Sequence, residues 1–279
     1  MSRKIGIIQV RGIGDAIIAL PIAEYYSKMP DTEVFFALDD RFVESFQYAA
    51  PYCTFVPVPF STFIPENGIN NEYWYEIPKA LLQNLGCSEI ISFPYHESHL
   101  LSSVPEKDRV GPEYDQLINR LNGQFEARIT NLGLYNHLKF DEYKYATAQV
   151  PFENKWNLNI RRNSQREGEF YHSIIKQLGK KNVVCHLEGS DMRLNASSFN
   201  AHFNSSEFNI IDVTAEKTNN IFDWLRVFEN ADIIITLDSV FANLVEQLQF
   251  SNNKFFIKRS SIFMTPVLKT KWNYVEVRN

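Results

Sequence analysis

Residues 5–10 read IGIIQV, residues 11–15 read RGIGD and residues 16–28 read AIIALPIAEYYSK. The first run is apolar and rich in β-branched residues, without polar alternation, which suits a strand buried on both faces of a parallel sheet. Gly12 and Gly14 allow a tight turn out of that strand. Ile17, Leu20 and Ala23 then recur at helical spacing, and Pro21 is expected to kink the helix or sit near its start. Working outward, TEVFFAL (32–38) predicts a second strand and RFVESFQYA (41–49) a second helix. TFVPVP (54–59) is strand-like but rich in proline, and predicts a short strand. This alternation of strand and helix predicts a doubly wound parallel sheet.

Residues 60–75 are irregular and aromatic. IPKALLQNLG (77–86) predicts a helix closed by Gly86. SEIISF (88–93) predicts a strand that runs into the polar loop Pro94–Ser98, and residues 115–133 a helix ending at Gly133. Residues 151–167 are polar and read as the connection between domains. The pattern then restarts, with a helix near 168–178 capped by Gly179 and the strand NVVCHLE (182–188). NIIDVT (209–214) and DIIITL (232–237) give further strands, IFDWLRVFENA (221–231) and SVFANLVEQL (239–248) further helices. Two such series predict an α/β protein of two Rossmann-like domains, 1–155 and 156–279, with parallel sheets facing a central cleft.

Composition narrows the function classes. Of 279 residues, 44% are hydrophobic and 22% charged, ample for a core and unlike a disordered chain. No apolar run approaches the roughly 18 residues of a membrane helix. Arg11 and Asp15 break the apolar opening, unlike a signal peptide. Cys53, Cys87 and Cys185 have neither zinc spacing nor a disulfide framework, and read as reduced core residues. A cytoplasmic protein is expected, with at most peripheral membrane contact. Net charge is −5, about −7 over residues 1–150 and about +2 over 151–279. Lys254, Lys258, Arg259, Lys269, Lys271 and Arg278 form a basic surplus near the end. It reads as a solvated face or as a patch that meets phosphate. The totals do not suit a strongly cationic nucleic-acid-binding domain.

Two turns carry chemistry. Gly12-Ile13-Gly14-Asp15 is not a dinucleotide fingerprint, because Ile17 stands where the third glycine belongs, and the chain has no P-loop sequence. Asp15 is predicted at the carboxyl edge of the first strand. It is either a helix cap or dipole partner, or a carboxylate able to take a proton from an acceptor hydroxyl. The strand at 232–237 delivers Asp238 and Ser239 to a helix start. That is again either a cap or, through backbone N–H groups and the Ser239 hydroxyl, a site for a diphosphate.

With these residues in view, the chain resembles glycosyltransferase family 9, the heptosyltransferase-like enzymes. Residues 10–42 (VRGIGDAIIALPIAEYYSKMPDTEVFFALDDRF) are similar to the family's opening strand, arginine-x-glycine-aspartate turn, proline-containing helix and second strand. Residues 88–111 (SEIISFPYHESHLLSSVPEKDRVG) resemble its later strand, polar loop and arginine-x-glycine. Residues 231–248 (ADIIITLDSVFANLVEQL) resemble its strand, aspartate-serine/threonine-glycine turn and helix, and residues 182–193 its nucleotide-proximal loop. The resemblance implies a GT-B fold and metal-independent, inverting transfer from a nucleotide-diphosphate sugar, with no other cofactor. It implies Asp15 as base; Glu97, which follows the strand at 88–93, is the alternative. It implies Gly14, Arg193, Asp238, Ser239, Val240 and Asn243 at the donor, with Arg193 neutralising the leaving phosphate; Glu246, by its place one or two turns into the helix at 239–248, is a further donor candidate that would reach the ribose. Arg11, His96 and Ser98 fall to the acceptor, and His186 reads as structural. The sequence departs from the pattern at Val240, where the family has glycine, at Asn243, where it has histidine, and at Glu188-Gly189, where it has proline-glycine.

Three functions stay open. The first is transfer to a glycan or lipopolysaccharide-like saccharide. The second is a phage-type transfer to a hydroxymethylated pyrimidine in DNA. The third, of a different class, is a non-catalytic protein that binds a nucleotide sugar.

Overall fold

The computed structural model describes residues 2–10, 12–63, 72–92, 139–175, 179–189, 192–195, 203, 206–258 and 266–275. The chain divides into two compact units, Met1–Asn159 with Ile262–Val267, and Ile160–Ser261 with Leu268–Asn279. Among the described residues no helix is long and apolar enough to cross a membrane. The three cysteines are free and buried.

The first unit contains β1 (Arg3–Ile8), α1 (Ile13–Ser27), β2 (Thr32–Asp39), α2 (Asp40–Ala49), β3 (Thr54–Val58), α3 (Ile77–Asn84), β4 (Glu89–Ser92) and α4 (Phe140–Ala148). Its strands lie in the order β3-β2-β1-β4 and every pairing is parallel. β1 has β2 on one side and β4 on the other, so the winding reverses between β1 and β4, where α/β sheets place their ligands. Pro57 lies in β3, which pairs only with β2 among the described strands; a central strand would need the N–H that proline lacks. Gly6 sits under α3, where a Cβ would lie 2.8 Å from Leu82 Cδ1.

Helix α1 runs unbroken through Pro21, and Ala16 to Glu24 are all buried. A helix apolar on every side needs cover on every side. The sheet supplies one face; α4 and a 3₁₀ turn, Phe152–Trp156, supply another. Burying Ile17, Ile18, Leu20 and Ile22 contributes roughly 1.5–3 kcal/mol each. Proline deprives Ile17 of its helical hydrogen bond, and one residue on, the Ile18 carbonyl accepts from Tyr145 Oη of α4 at 3.0 Å. Tyr26 Oη donates in return to the Ala148 carbonyl. These bonds fix α4 against α1.

The second unit contains α5 (Ser164–Ile174), β5 (Lys181–His186), β6 (Phe208–Asp212), α6 (Leu225–Glu229), β7 (Ile233–Leu237), α7 (Val240–Gln247), β8 (Asn253–Ile257) and β9 (Asn273–Val275). The order is β6-β5-β7-β8-β9, again all parallel, with the reversal between β5 and β7. Val183, Cys185, Leu187, Ile235, Leu237 and Ile257 form one packed layer.

Several sequence expectations need correction. The polar stretch 151–167 is not all connection: Phe152–Trp156 is helical and Lys155 is fully buried against Asp141. The helix expected at 168–178 starts earlier, at Ser164, because Asn163 accepts from Arg166 N and caps it. The helix expected at 221–231 is a 3₁₀ turn, Ile221–Trp224, followed by the short α6. Lys254 is no part of a basic surface. It is buried, donating to the Phe250 carbonyl at 2.8 Å and to Thr270 Oγ1 at 2.6 Å. The helix expected at 115–133 lies outside the described residues.

Candidate functional site

In the first unit β1 ends at Ile8, beside Ser92 of β4, and the chain turns at Gly12 into α1. Gly12 has φ +76°, a conformation that disfavours any side chain. A Cβ there would also run into Asp15 Oδ2. The carboxylate of Asp15 thus folds back over the glycine from the first turn of α1. Its partner comes from α4: Lys144 Nζ lies 3.1 Å from Asp15 Oδ1 and 2.7 Å from Gln9 Oε1. The lysine side chain is 6% exposed and that of Asp15 36%. The pair therefore presents an open carboxylate backed by a buried cation.

The carboxylate at the end of β2 is of another kind. Asp39 is fully buried, accepts from Arg41 N, Nε and Nη2, and takes a further bond from Tyr73 Oη at 2.9 Å. Burial alone would raise its pKa, but these hydrogen bonds outweigh it and hold the group below the ordinary carboxylate value. With its oxygens committed, Asp39 caps the start of α2 and anchors Arg41. Ser92 Oγ, at the carboxyl end of β4, is buried without a partner among the described residues.

In the second unit β7 delivers Asp238, buried, and then Ser239 at the N-cap of α7. The amide of Asp238 donates to the Ile257 carbonyl at 3.1 Å, tying the turn to β8. An N-cap serine ordinarily accepts from the helix's own first N–H groups; Ser239 does not. Its Oγ lies 2.8 Å from Nδ1 of His186, the last residue of β5. The imidazole packs edge-on against Phe241, with ring centroids 4.7 Å apart. Burial pushes its pKa down to about 4, so the ring is neutral at ordinary pH. Val240 is the first residue of α7. Asn243 turns inward, its Nδ2 donating to the Ser239 carbonyl at 3.2 Å. Thr236 Oγ1, Asn243 Oδ1 and both amide atoms of Gln247 are buried without partners among the described residues.

Arg193 is exposed on a hairpin that extends β5: it bridges to Glu188, and Leu194 N donates to the Leu187 carbonyl. Its charge, with that of Lys217, acts on Asp212 at the end of β6. This hairpin and Ser239 share the carboxyl edge of the second sheet. Glu246, expected at a ribose, has another occupation. It is fully buried and accepts from the amides of Lys269 and Thr270, from Thr270 Oγ1, and from Trp272 Nε1 at 2.6 Å. Burial would raise its pKa, yet these bonds hold it below the ordinary value. Gly14 stands in the first unit, directly before Asp15. Arg11, His96, Glu97 and Ser98 lie outside the described residues. Lys144 is the group that motif reading passed over, and His186, read there as structural, is the residue that reaches Ser239. Among the described residues no three His, Cys, Asp or Glu side chains gather as metal ligands.

No protein-family model and no curated protein sequence matches the chain. Solved structures do. A glycosyl transferase family 9 protein from Veillonella parvula DSM 2008 superposes with TM-score 0.60 at 13% identity, covering 100% of this chain and 88% of that one. The ADP-heptose lipopolysaccharide heptosyltransferase II of E. coli gives 0.55 at 8% identity, with 98% and 90% covered. The E. coli heptosyltransferase WaaC solved with ADP gives 0.50 at 12%, with 99% and 93% covered. The chain has the GT-B fold of the heptosyltransferase-like glycosyltransferases.

Proposed function

We propose that the chain is an inverting, metal-independent glycosyltransferase that moves a sugar from a nucleotide-diphosphate sugar to a saccharide hydroxyl. The observation that carries this reading is the Asp15 turn. At the β1/β4 reversal a left-handed turn at Gly12 leaves room for a solvent-reachable carboxylate, while Asp39, the buried carboxylate ending the neighbouring strand, is committed to Arg41 and Tyr73. In this mechanism Asp15 takes the proton of the acceptor hydroxyl as its oxygen attacks the anomeric carbon. The bond from that carbon to the diphosphate oxygen breaks on the opposite face, and the nucleoside diphosphate leaves with the electron pair. Its charge is met by the N–H groups at the start of α7, the Ser239 hydroxyl and Arg193. The names of the structural neighbours, one an ADP-heptose transferase and one solved with ADP, favour a nucleotide-diphosphate donor.

The test is nucleotide release from a panel of nucleotide sugars. Each is offered with and without saccharide acceptors and hydroxymethylated DNA, beside Asp15→Asn. Release that needs one donor and one acceptor and collapses in the variant is expected. Release with the DNA alone would move the acceptor to a modified base. Donor binding without release from any pair would favour the non-catalytic alternative. Equal release by wild type and Asp15→Asn would remove Asp15 as base.

A further inference from the structure

We propose that His186 is a positioning residue for the donor, its Nδ1–H holding the Ser239 oxygen so that the serine proton is free to donate to a phosphate oxygen. This inference rests on the donor-site reading above and adds a residue to it. Three observations carry it. Ser239 occupies an N-cap but does not cap its helix, so its hydroxyl is spared for another use. The partner that holds it, His186, ends the strand on the other side of the β5/β7 reversal, at 2.8 Å. The imidazole is held in place by Phe241 of the same helix, and its strand position pairs it with Thr236 of β7.

The choice of tautomer follows from the ligand. If Nδ1 carried the lone pair, the serine proton would be spent on it and only oxygen lone pairs would face a diphosphate. If Nδ1 carries the hydrogen, the serine oxygen accepts it and the serine proton points outward. Only the second arrangement attracts an anion. Burial keeps the ring neutral, so it acts through this bond rather than as a positive charge on phosphate. The N–H groups at the start of α7, which the Ser239 side chain does not cap, can then serve the same phosphate.

The test is titration calorimetry with ADP, and with UDP, GDP and CDP in turn, on wild type, Ser239→Ala, His186→Phe and His186→Asn. At least one nucleotide binds wild type. Ser239→Ala and His186→Phe each weaken it by about ten- to hundredfold, the range for one hydrogen bond to a charged group. His186→Asn, whose amide can restore a donor near Nδ1, recovers most of that loss, which a purely space-filling role would not give. Two-bond nitrogen–proton NMR of the imidazole in wild type with the bound nucleotide shows the Nδ1–H tautomer, independent of any variant's folding. No nucleotide binding by wild type would overturn the donor-site reading itself. Weakening by Ser239→Ala with full affinity in His186→Phe, or an Nε2–H tautomer in the complex, would overturn the role of His186 alone.

Discussion

Asp15→Asn is the obvious test of the proposed base, but the structure shows that it perturbs two things at once. Asp15 is the counter-charge of Lys144, a lysine whose side chain is only 6% exposed. Removing one partner of a fully buried ion pair costs about 3–5 kcal/mol. Here Asp15 is 36% exposed and solvent already screens the pair. Asparagine also keeps an oxygen for Lys144, so the expected cost is lower, about 1–3 kcal/mol. That corresponds to a fall in Tm of roughly 3–10 °C. Lys144→Met instead leaves a carboxylate that water can reach, and should cost less than Asp15→Asn. The double variant Asp15→Asn/Lys144→Met leaves neither charge and is expected to recover most of the stability lost by Asp15→Asn alone. Activity separates the two roles. A positioned general base contributes about 10²–10⁴-fold, so Asp15→Asn and the double variant should both lose at least about 100-fold in kcat. Thermal melts and nucleotide release on the four proteins, with concentration of folded protein matched, give the comparison. A double variant that regains both stability and turnover would refute the argument, because Asp15 would then serve only to neutralise Lys144.

Gly12→Ala forces a side chain into a left-handed turn at a cost of roughly 1–2 kcal/mol and drives its Cβ into Asp15. Turnover should fall by more than the melting shift explains, as kinetics beside a melt will show. Lys155→Met strands the buried Asp141, which also accepts from Val267 N at 2.8 Å. A loss of about 3–5 kcal/mol is expected, read by denaturant unfolding, and less when Asp141→Asn is added. His186, with its folded pKa lowered to about 4, contributes stability that is fully present above its unfolded value near 6.5. As pH falls from there towards 4 the unfolded chain takes up a proton first. Up to about 3 kcal/mol is lost over that window, and stability curves of His186→Asn should lack this limb. Glu246 acts at lower pH with the same sign. Its depressed pKa gives stability that holds above the ordinary glutamate value and drains as pH falls through the folded one; Glu246→Gln, less stable at neutral pH, should flatten that loss.

The sequence by itself determined β1 to β7, most helices and the two turns, because these depend on neighbours a few residues apart; β8 and β9 became visible only in the structure. A parallel strand buried on both faces has to be apolar throughout, so IGII, VFFAL and IIITL announce themselves. A strand followed by glycine and aspartate puts the carboxylate at the sheet's carboxyl edge whatever else the chain does, so Asp15 was legible. So was the inward burial of the cysteines. The tertiary structure decided what those turns are paired with. Lys144 reaches Gln9 over 135 residues and His186 reaches Ser239 over 53; no local pattern marks either pair. The extent of α1's burial also depended on α4, which no periodicity announced. Glu246 shows the limit most plainly. One or two turns up a helix whose start reads as an anion site, it reads as a ligand residue, but residues 269–272 satisfy its carboxylate from a strand-to-strand connection. The use of a side chain's hydrogen-bonding capacity is settled by whichever partner reaches it first in space, and chain folding brings those partners from distances that sequence spacing does not encode.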